Sequence, residues 1–460
     1  MRPLVATLAV VAAASALPAQ APAPFPTDSA VRAMLQQRVD SGRGVGLVVG
    51  LLENGKRRVI AVGSSGTARA LDGHTLFEIG SITKTFTATV LADMAQRGVV
   101  RFDQPVAELL PAGTAVPSRN GRAITLEDLS AQRSGLPRDP GNLAPKRADD
   151  PYADYDAARL YAFLGSYTLP RDPGAAFEYS NLGVGLLGHA LARRAGTDYE
   201  TLVRARVLDP LGMRDTRVTP AGSQTARVAQ GHGETMLPAA AFHLDALAGA
   251  GALRSTAEDM LTYLAAELGD GPPPVVKAMR ETQRARGPAG PLGQIGLGWI
   301  VVRTPDGRAL HWHNGGTGGF RTFIGYNRKT HIGVVALSNA STPQGVDDIG
   351  LHILDASFPL AKFEPAKQRT EITVDPKIFE HYVGRYELAP NFILTVTHEE
   401  SHLFVQATGQ PRFEAFPEAE REYFLKAVDA QITFDPPENG ASPKLTLHQA
   451  GRDMPAKRLN

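Results

Sequence analysis

The stretch Phe77-Glu78-Ile79-Gly80-Ser81-Ile82-Thr83-Lys84 begins a helical pattern that runs to Arg97 and stops at Gly98. Residues three apart share one face of a helix, so Ser81 and Lys84 are expected to be neighbours. A lysine whose pKa is lowered by burial can take the proton of a serine hydroxyl. The stretch therefore predicts an activated nucleophile. For this pair alone, the alternative is a helix cap followed by a surface lysine.

A second motif, Tyr179-Ser180-Asn181, follows the turn signal Pro173-Gly174. In extended or turn backbone, residues two apart point the same way, so Tyr179 and Asn181 are expected to face the nucleophile together. A phenol near an ammonium can relay protons, and an amide can hydrogen-bond a substrate carbonyl. For this motif alone, the alternative is a packed tyrosine beside an asparagine turn.

A third motif, residues 313–320 (His-Asn-Gly-Gly-Thr-Gly-Gly-Phe), ends a candidate strand. Glycines at a strand end let a ligand approach the backbone, and a substrate can lie along such a strand as an added one. The alternative is a glycine-rich loop with a structural histidine. His311 and His313 would face one side of the strand, but no carboxylate or third histidine lies nearby, so we predict no metal site and no cofactor.

Strand signals occur at both ends of the first 360 residues. Residues 44–53 and 57–62 predict a hairpin around Asn54-Gly55. The later candidate strands are residues 298–304, 309–313, 321–326 and 332–338. From about residue 75 to 270 the pattern is mainly helical. We therefore predict an α/β fold in which early and late strands meet in one sheet, with a helical cluster inserted between them.

The last part of the chain has a different pattern. Residues 361–374 are polar and indicate a linker. Seven short strand candidates follow, at 382–388, 392–397, 403–407, 412–416, 423–427, 431–434 and 444–448. Short strands at this regular spacing predict a small barrel or sandwich.

The composition limits the classes of protein. Lys and Arg total 48 and Asp and Glu total 47, which argues against a nucleic-acid-binding protein that works by bulk charge. Hydrophobic residues make up 43% of the 460 residues, enough for a sizeable core. The chain has no cysteine, which excludes a disulfide scaffold, a Cys-ligated metal, a thiol nucleophile and a lipidated N-terminal cysteine.

The N-terminus has the pattern of a targeting segment. Arg2 is the only charge before Asp28, and small apolar residues lead to candidate cleavage sites near residue 19. We predict a signal peptide over residues 1–19 and a periplasmic or secreted mature chain. The alternatives are a buried helix or a membrane anchor, but the apolar run is shorter than the ~20 residues that span a bilayer. No other segment predicts a membrane span.

Taken together, Ser-x-x-Lys, Tyr-x-Asn and a basic-x-Gly motif in this order resemble the serine β-lactamase and penicillin-binding protein family. The Tyr-Ser-Asn middle motif is similar to that of class C β-lactamases, D-alanyl-D-alanine carboxypeptidases and related esterases. The flanking Ser134-Gly135-Leu136 and residues 296–299 (Gly-Leu-Gly-Trp) add to the resemblance. The C-terminal part resembles the lipocalin-like barrel often attached to such hydrolases.

The resemblance implies a fold and a domain division. The fold would be α/β (α+β), an antiparallel sheet flanked by helices with an all-helical lobe, plus a small C-terminal β-barrel. The hydrolase domain would span residues 20–360 and the barrel domain residues 375–460, with the linker at 361–374 between them.

The resemblance also implies roles for seven residues. Ser81 would form the acyl-enzyme, and Lys84 and Tyr179 would share the work of general base and then acid. The substrate-binding residues would be Asn181, His313, Gly315 and Gly316. The backbone N–H groups of Ser81 and Gly316 would form an oxyanion hole, in which each donor contributes about 3–4 kcal/mol to lowering the barrier.

The sequence departs from the family pattern at two places. His313 stands where the best-known β-lactamases have lysine, and histidine is charged only near or below its pKa of about 6.5. Arg321 is a candidate for the missing positive charge, and a surface arginine is the alternative. The family mostly has a Thr-His-Thr-like run before Ser-Gly-Leu, and Gln132 and Arg133 in this stretch are interpreted as scaffold variation. Glu178, beside Tyr179, is expected to point away from the nucleophile.

We therefore expect a serine acyl hydrolase acting on β-lactam or D-alanyl-type amides. The substrate would be a small molecule or peptide: a β-lactam, a D-amino-acid peptide or an ester. A carboxylesterase on the same scaffold is one alternative, and a penicillin-binding sensor with little turnover is another. The barrel could bind a ligand or a cell-wall partner, or act only as a lid or packing module.

Overall fold

The computed structural model describes residues 25–362, 369–389, 392–408, 412–426, 430–449 and 452–459. The predicted signal peptide, residues 1–19, lies outside the described residues, as does the middle of the predicted linker at 361–374. Within the part of the chain that the structure describes, no helix combines the length and hydrophobicity that a bilayer crossing requires.

Residues 25–362 are described without a gap and contain twelve strands. These are β1 (Gly46–Glu53), β2 (Lys56–Gly63), β3 (Phe77–Glu78), β4 (Ser118–Arg119), β5 (Arg122–Ala123), β6 (Arg254–Ser255), β7 (Gly287–Pro288), β8 (Gln294–Ile295), β9 (Ile300–Arg303), β10 (Ala309–Gly316), β11 (Arg321–Asn327) and β12 (Ile332–Ser338). Eight of them form one antiparallel sheet in the order β2-β1-β12-β11-β10-β9-β8-β7. The prediction that early and late strands meet is confirmed, because Val49 of β1 lies opposite Ala336 of β12.

The same part of the chain contains eleven α-helices. These are α1 (Asp28–Asp40), α2 (Thr83–Gln96), α3 (Leu126–Ser130), α4 (Ala157–Ser166), α5 (Asn181–Ala195), α6 (Tyr199–Val203), α7 (Asp209–Leu211), α8 (Ala248–Gly251), α9 (Ala257–Leu268), α10 (Pro273–Thr282) and α11 (Asp347–Leu354). Single 3₁₀ turns occur at Gly80–Ile82, Val106–Leu109, Gly222–Arg227 and Gly290–Leu292, and a short π-helix at Arg204–Leu208 joins α6 to α7. The predicted helical cluster is therefore present between the two groups of strands.

The central sheet separates two hydrophobic cores. Successive side chains of a strand point to opposite faces, and β1 is apolar on both, as expected for a strand covered on each side. Val48 faces the core that contains α9, while Val49 faces the core that contains α1 and α11. On β12, Val335 likewise faces the core that contains α9, and Val334 faces the core that contains α1 and α11. This confirms the expected antiparallel sheet with helices on both sides.

Helix α2 lies in the interior, and its residues from Thr83 to Met94 are buried. A helix whose side chains are apolar, or satisfied by hydrogen bonds within the protein, around its whole circumference is expected in the interior. Its polar side chains are satisfied locally: the Thr87 hydroxyl donates to the carbonyl of Gly249 over 2.7 Å, and the hydroxyls of Thr87 and Tyr199 lie 2.7 Å apart. Enclosure of α2 fixes the position of Lys84 in its first turn and of Ser81 in the 3₁₀ turn that directly precedes it.

The C-terminal part forms a closed antiparallel barrel of eight strands. They are β13 (Gly384–Ala389), β14 (Phe392–Glu399), β15 (His402–Ala407), β16 (Arg412–Ala419), β17 (Glu422–Leu425), β18 (Ala430–Phe434), β19 (Lys444–Gln449) and β20 (Arg452–Leu459). The first seven match the predicted strands, and β20 was not predicted. It closes the barrel by pairing with β13, where Arg385 lies opposite Leu459. A 3₁₀ turn at Pro376–His381 precedes the barrel.

We predict that Leu261→Ala lowers the free energy of unfolding by about 2–5 kcal/mol, because it opens a cavity where α9 packs on the sheet. Leu261 is fully buried among residues of that core. Chemical denaturation followed by circular dichroism measures the change. Leu237→Ala is the control, since Leu237 is 62% exposed and its truncation should change stability by less than about 0.5 kcal/mol. Equal effects of the two substitutions would contradict the placement of α9.

Candidate active site

Ser81 lies on the 3₁₀ turn Gly80–Ile82, directly before helix α2. The predicted contact with Lys84 is present: Ser81 Oγ and Lys84 Nζ lie 2.9 Å apart. Ser81 is partly exposed, whereas Lys84 is only 1% exposed. The alternative of a surface lysine is therefore wrong for this pair. A partly exposed hydroxyl held against a buried amine is the arrangement of an activated nucleophile.

The Lys84 amine has two further partners. Lys84 Nζ donates to Asn181 Oδ1 over 2.9 Å and to the carbonyl oxygen of Ala250 over 2.7 Å. Burial and then the positive charge of Arg138 lower the pKa of Lys84 well below its usual value of 10.5, while the Asp139 carboxylate acts in the opposite direction. A neutral amine has two N–H donors and one lone pair. Because Asn181 and Ala250 take both donors, the lone pair of neutral Lys84 is directed to Ser81.

Tyr179 closes the other side of the nucleophile. Its ring centre lies 4.9 Å from Lys84 Nζ and 6.2 Å from the ring centre of His313. Burial raises the pKa of the Tyr179 phenol to about 12, and its hydrogen bond with Ser81 acts in the opposite direction. Tyr179 is therefore a neutral proton donor at physiological pH. The structure thus brings together Ser81, Lys84 and Tyr179, as predicted.

Gln132 holds the Tyr179 segment in place. Its side-chain oxygen accepts from the backbone N–H of Ser180 over 2.7 Å, and its carbonyl oxygen accepts from Glu178 N over 2.8 Å. Gln132 is buried and has a left-handed backbone with φ of 59°. The interpretation of Gln132 as mere scaffold variation is incomplete, because this side chain positions the second motif. Glu178 itself turns away and pairs with Arg171, as expected.

Asn181 is the first residue of α5, whose N-terminus is capped by the Ser180 side chain. Asn181 Nδ2 donates to Asp139 Oδ1 over 3.0 Å, which directs Asn181 Oδ1 toward Lys84. Asp139 Oδ1 also accepts from the Tyr152 hydroxyl over 2.9 Å. Asp139 and Tyr152 could not be singled out from the sequence, since neither belongs to a motif. Their sequence neighbour Ser134-Gly135-Leu136 was the nearest available signal.

The third motif places its backbone, rather than a charge, next to the nucleophile. His313 lies on β10 and is only 2% exposed, with Nδ1 2.6 Å from the carbonyl oxygen of Asn314. Burial and then the charge of Lys84 lower the pKa of His313 to about 3. His313 is therefore neutral at physiological pH and supplies no cation for a substrate carboxylate. Its ring instead packs near Tyr179.

Gly315 and Gly316 lie against the turn that carries Ser81. A Cβ on Gly315 would overlap the carbonyl oxygen of Ile79, and one on Gly80 would lie only 2.8 Å from the Gly316 nitrogen. Gly80 also has a left-handed φ of 49°. Glycine is thus needed on both sides of this contact. Gly316 is exposed, so its backbone remains within reach of a ligand beside Ser81.

Arg321 does not face the nucleophile. Its guanidinium donates to the carbonyl oxygens of Thr317 over 3.0 Å and Phe320 over 3.2 Å. It also lies near the Asp347 carboxylate, on the side of the sheet that faces α11. Of the two alternatives for Arg321, the structure therefore does not support the one in which it supplies the missing cation. Gly316 and Arg321 are paired across β10 and β11, so the Arg321 side chain shares the face opposite to His313 and Gly315.

His311 and His313 share a strand face but bind different partners. His311 Nε2 hydrogen-bonds the carbonyl oxygen of Gln283 at 3.2 Å, and its ring stacks on Tyr326. Among the described residues, no three His, Cys, Asp or Glu side chains converge in a way that would hold a metal ion. The two rings therefore have different neighbours, His311 stacking on Tyr326 and His313 lying near Tyr179.

Two family models match the chain. The model described as Beta-lactamase matches residues 31–357, and the one described as a domain of unknown function, DUF3471, matches residues 368–458. The first match includes the three motifs and covers well over half of the sequence. The chain therefore belongs to the beta-lactamase family, whose members include serine hydrolases of the β-lactamase and D-alanyl-D-alanine carboxypeptidase types.

Curated relatives agree with this assignment at modest identity. The chain is 26% identical to penicillin-binding protein 4* of Bacillus subtilis (strain 168), over 85% of this chain and 89% of that protein. It is 29% identical to the D-alanyl-D-alanine-carboxypeptidase/endopeptidase AmpH of Escherichia coli (strain K12), over 57% of this chain and 70% of that protein.

Solved structures agree as well. A class C β-lactamase from Rhodobacter sphaeroides superposes with a TM-score of 0.60 at 28% identity, covering 68% of this chain and 95% of that one. A β-lactamase/D-alanine carboxypeptidase from Yersinia pestis, complexed with citrate, has a TM-score of 0.60 at 25% identity. The match covers 72% of this chain and 98% of that one. These structures support the fold and the family.

We predict that Gly80→Ala lowers kcat/KM for an activated ester by about 100-fold, because its Cβ would push Gly316 away from Ser81. Steady-state hydrolysis of a phenyl ester measures the effect. Gly98→Ala is the matched control: Gly98 also has a positive φ, of 69°, but a Cβ there would meet nothing within 4 Å. A loss of activity no larger than that of Gly98→Ala would contradict the role of this contact.

Proposed function

We propose that this protein is a serine acyl hydrolase that forms an acyl-enzyme at Ser81 and cleaves β-lactam or D-alanyl-type amides. The observation that carries the proposal is the buried Lys84 amine, 2.9 Å from Ser81 Oγ, with its two N–H donors directed to other acceptors. The names of the relatives, a penicillin-binding protein and a D-alanyl-D-alanine carboxypeptidase, support the substrate class.

The pKa of Lys84 is lowered and that of Tyr179 is raised, so Lys84 is suited to accept a proton and Tyr179 to donate one during acylation. Neutral Lys84 accepts the Ser81 proton as Oγ attacks the carbonyl carbon of the substrate. The resulting oxyanion would be stabilised by the backbone N–H groups of Ser81 and Gly316. Tyr179, a phenol at working pH, gives its proton to the leaving amine as the C–N bond breaks. The Lys84 ammonium then returns a proton to Tyr179, so that the Ser81 proton is in effect delivered to the leaving group.

Deacylation would use the same groups in reverse roles. A water molecule attacks the acyl carbon and gives its proton to neutral Lys84. The Lys84 ammonium then donates a proton to Ser81 Oγ, directly or through the Tyr179 phenol, as the bond between Oγ and the acyl carbon breaks. Asn181 is held by Asp139 with its amide plane fixed, and we propose that it orients the substrate beside Ser81. Asp139, Gln132 and Tyr152 act through the residues that they position.

A carboxylesterase on the same scaffold is a second candidate. The neutral state of His313 favours it, because β10 then offers no permanent charge to select substrates that carry a carboxylate. Esters with neutral leaving groups would be accepted by the same Ser81 chemistry.

We further propose that the mature protein acts in the periplasm or outside the cell. The proposal rests on the short positive start, the apolar run and the small residues of segment 1–19. D-alanyl peptides and β-lactams are met in such compartments.

We predict that the mature protein gains the mass of a penicillin on mixing and that Ser81→Ala abolishes this adduct. Time-resolved intact mass spectrometry measures it, together with loss of the drug. Ser118→Ala, on the exposed strand β4, is the control and should keep the adduct. An adduct of unchanged yield in Ser81→Ala would contradict the nucleophile.

The lifetime of the adduct separates the candidate functions. A transient adduct with consumption of the drug indicates a β-lactamase, and a long-lived adduct indicates a penicillin-binding peptidase or sensor. No adduct, together with Ser81-dependent cleavage of short acyl esters, indicates the carboxylesterase.

We predict that kcat/KM rises with pH as Lys84 loses its proton, with an apparent pKa below 10.5 and no further step near pH 6–7. His313 contributes no step because its lowered pKa of about 3 keeps it neutral throughout this range. Profiles from pH 5 to 10 for the wild type and His313→Gln test this. The substitution should change the maximal kcat/KM but not the shape of the profile. A wild-type step near pH 6.5 that disappears in His313→Gln would contradict the neutral state of His313.

A further inference from the structure

The wall of the site formed by β10 offers no positive charge to a substrate. His313 is buried and neutral, and Arg321 lies on the other face of the sheet with its guanidinium bound to Thr317 and Phe320. Lys84 is buried, and its donors are occupied by the protein. A substrate carboxylate would therefore need a partner on the side of Tyr179, which lies just before α5, and of the loop between α3 and α4.

Arg138 is a cation on that side of the site. Its guanidinium carbon lies 5.1 Å from the centre of the Tyr179 ring, and its side chain is 68% exposed. The backbone is anchored, since the Arg138 carbonyl oxygen accepts from Asn181 N over 2.8 Å and Leu182 N over 3.1 Å. The residue thus has a fixed base at the N-terminus of α5 and a charged end at the mouth of the site.

The donors of the Arg138 guanidinium are largely unused. Its nearest ionic partner is Asp139, whose Oδ2 lies 3.8 Å from Arg138 Nε, beyond hydrogen-bond distance. The other oxygen, Oδ1, already accepts from Asn181 and Tyr152. Within the described residues, the Arg138 side chain makes no hydrogen bond. Its Nη1 and Nη2 groups form the planar fork that matches a carboxylate.

The position of Arg138 defines which part of a substrate it meets. Tyr179 would donate the proton to the leaving group, so its ring lies on the leaving-group side of Ser81. The Arg138 guanidinium carbon lies 5.1 Å from the centre of that ring, so an exposed Arg138 would be within reach of the leaving group. The charge of Arg138 also acts on both catalytic groups, since it lowers the pKa of Lys84 and opposes the rise in that of Tyr179.

We propose that Arg138 binds a carboxylate carried by the leaving group of the substrate. This inference rests on the proposed function, and it narrows the substrate class. The preferred substrates are amides or esters whose leaving portion is an anionic acid, such as a C-terminal D-amino acid or the carboxylate-bearing ring of a β-lactam. Arg138 would thus supply the positive charge that β10 does not offer in this chain.

The test uses two esters with one acyl group: phenylacetylglycine esterified with phenol, or with the hydroxyl of 3-hydroxybenzoate. The readout is the ratio of kcat/KM for the anionic ester over the neutral ester. We expect Arg138→Met to lower this ratio about tenfold or more, since a charge-assisted pair is lost. The ratio cancels any change in the pKa of Lys84, because both esters undergo the same acylation. Arg138→Lys should restore part of the preference, and 0.5 M NaCl should lower the wild-type ratio.

Arg101→Met is the matched control and should leave the ratio unchanged. Arg101 is an exposed arginine paired with Asp103, beyond the far end of α2, a helix of about 20 Å. A ratio in Arg138→Met equal to that of the wild type would overturn the inference. If the wild type cleaves neither ester and forms no penicillin adduct at Ser81, the proposed function itself fails, which is a distinct outcome.

Discussion

The buried amine of Lys84 is the point on which the site depends. One nitrogen contacts Ser81 on the turn before α2, Asn181 at the start of α5 and the carbonyl of Ala250 in α8. A polar group removed from water must find partners within the protein, or its burial costs several kcal/mol. The three segments are therefore held together by the requirement to satisfy one amine. The same burial lowers the pKa of Lys84, so the interaction that assembles the site also prepares its chemistry.

The sequence was most informative where a function depends on residues close together in the chain. Ser81 and Lys84 are one helical turn apart, and Tyr179 and Asn181 are separated by a single capping residue, so spacing indicated that each pair shares a face. The occurrence of the motifs together and in order then favoured a common site. Apolar periodicity likewise predicted β1, β2 and seven barrel strands. Strand β20 was missed because half of its residues are charged and one is a proline, a composition that does not indicate a strand.

Contacts between distant segments could not be predicted in this way. Gln132 and Asp139 position Ser180 and Asn181 across more than 40 residues, and neither belongs to a recurring pattern. The role of Arg321 was left open between two alternatives for a different reason. Its position after the glycine loop indicates proximity to the site, but strand parity sends its side chain to the opposite face of the sheet. Arg138, one residue before Asp139, was not singled out because its relation to Tyr179 exists only in three dimensions.

The topology of the central sheet has a consequence for the order in which the protein can form. Strand β1 lies inside the sheet between β2 and β12, and its residue Glu53 pairs with Ile332, 279 residues later. While the chain emerges, the hairpin of β1 and β2 exposes an apolar strand edge with no partner, a state prone to aggregation. Closing so long a loop is slow, because the chain loses conformational entropy before the stabilising contacts between β1 and β12 can form. The nascent protein therefore depends on protection by its surroundings until the last strand of the sheet has been made.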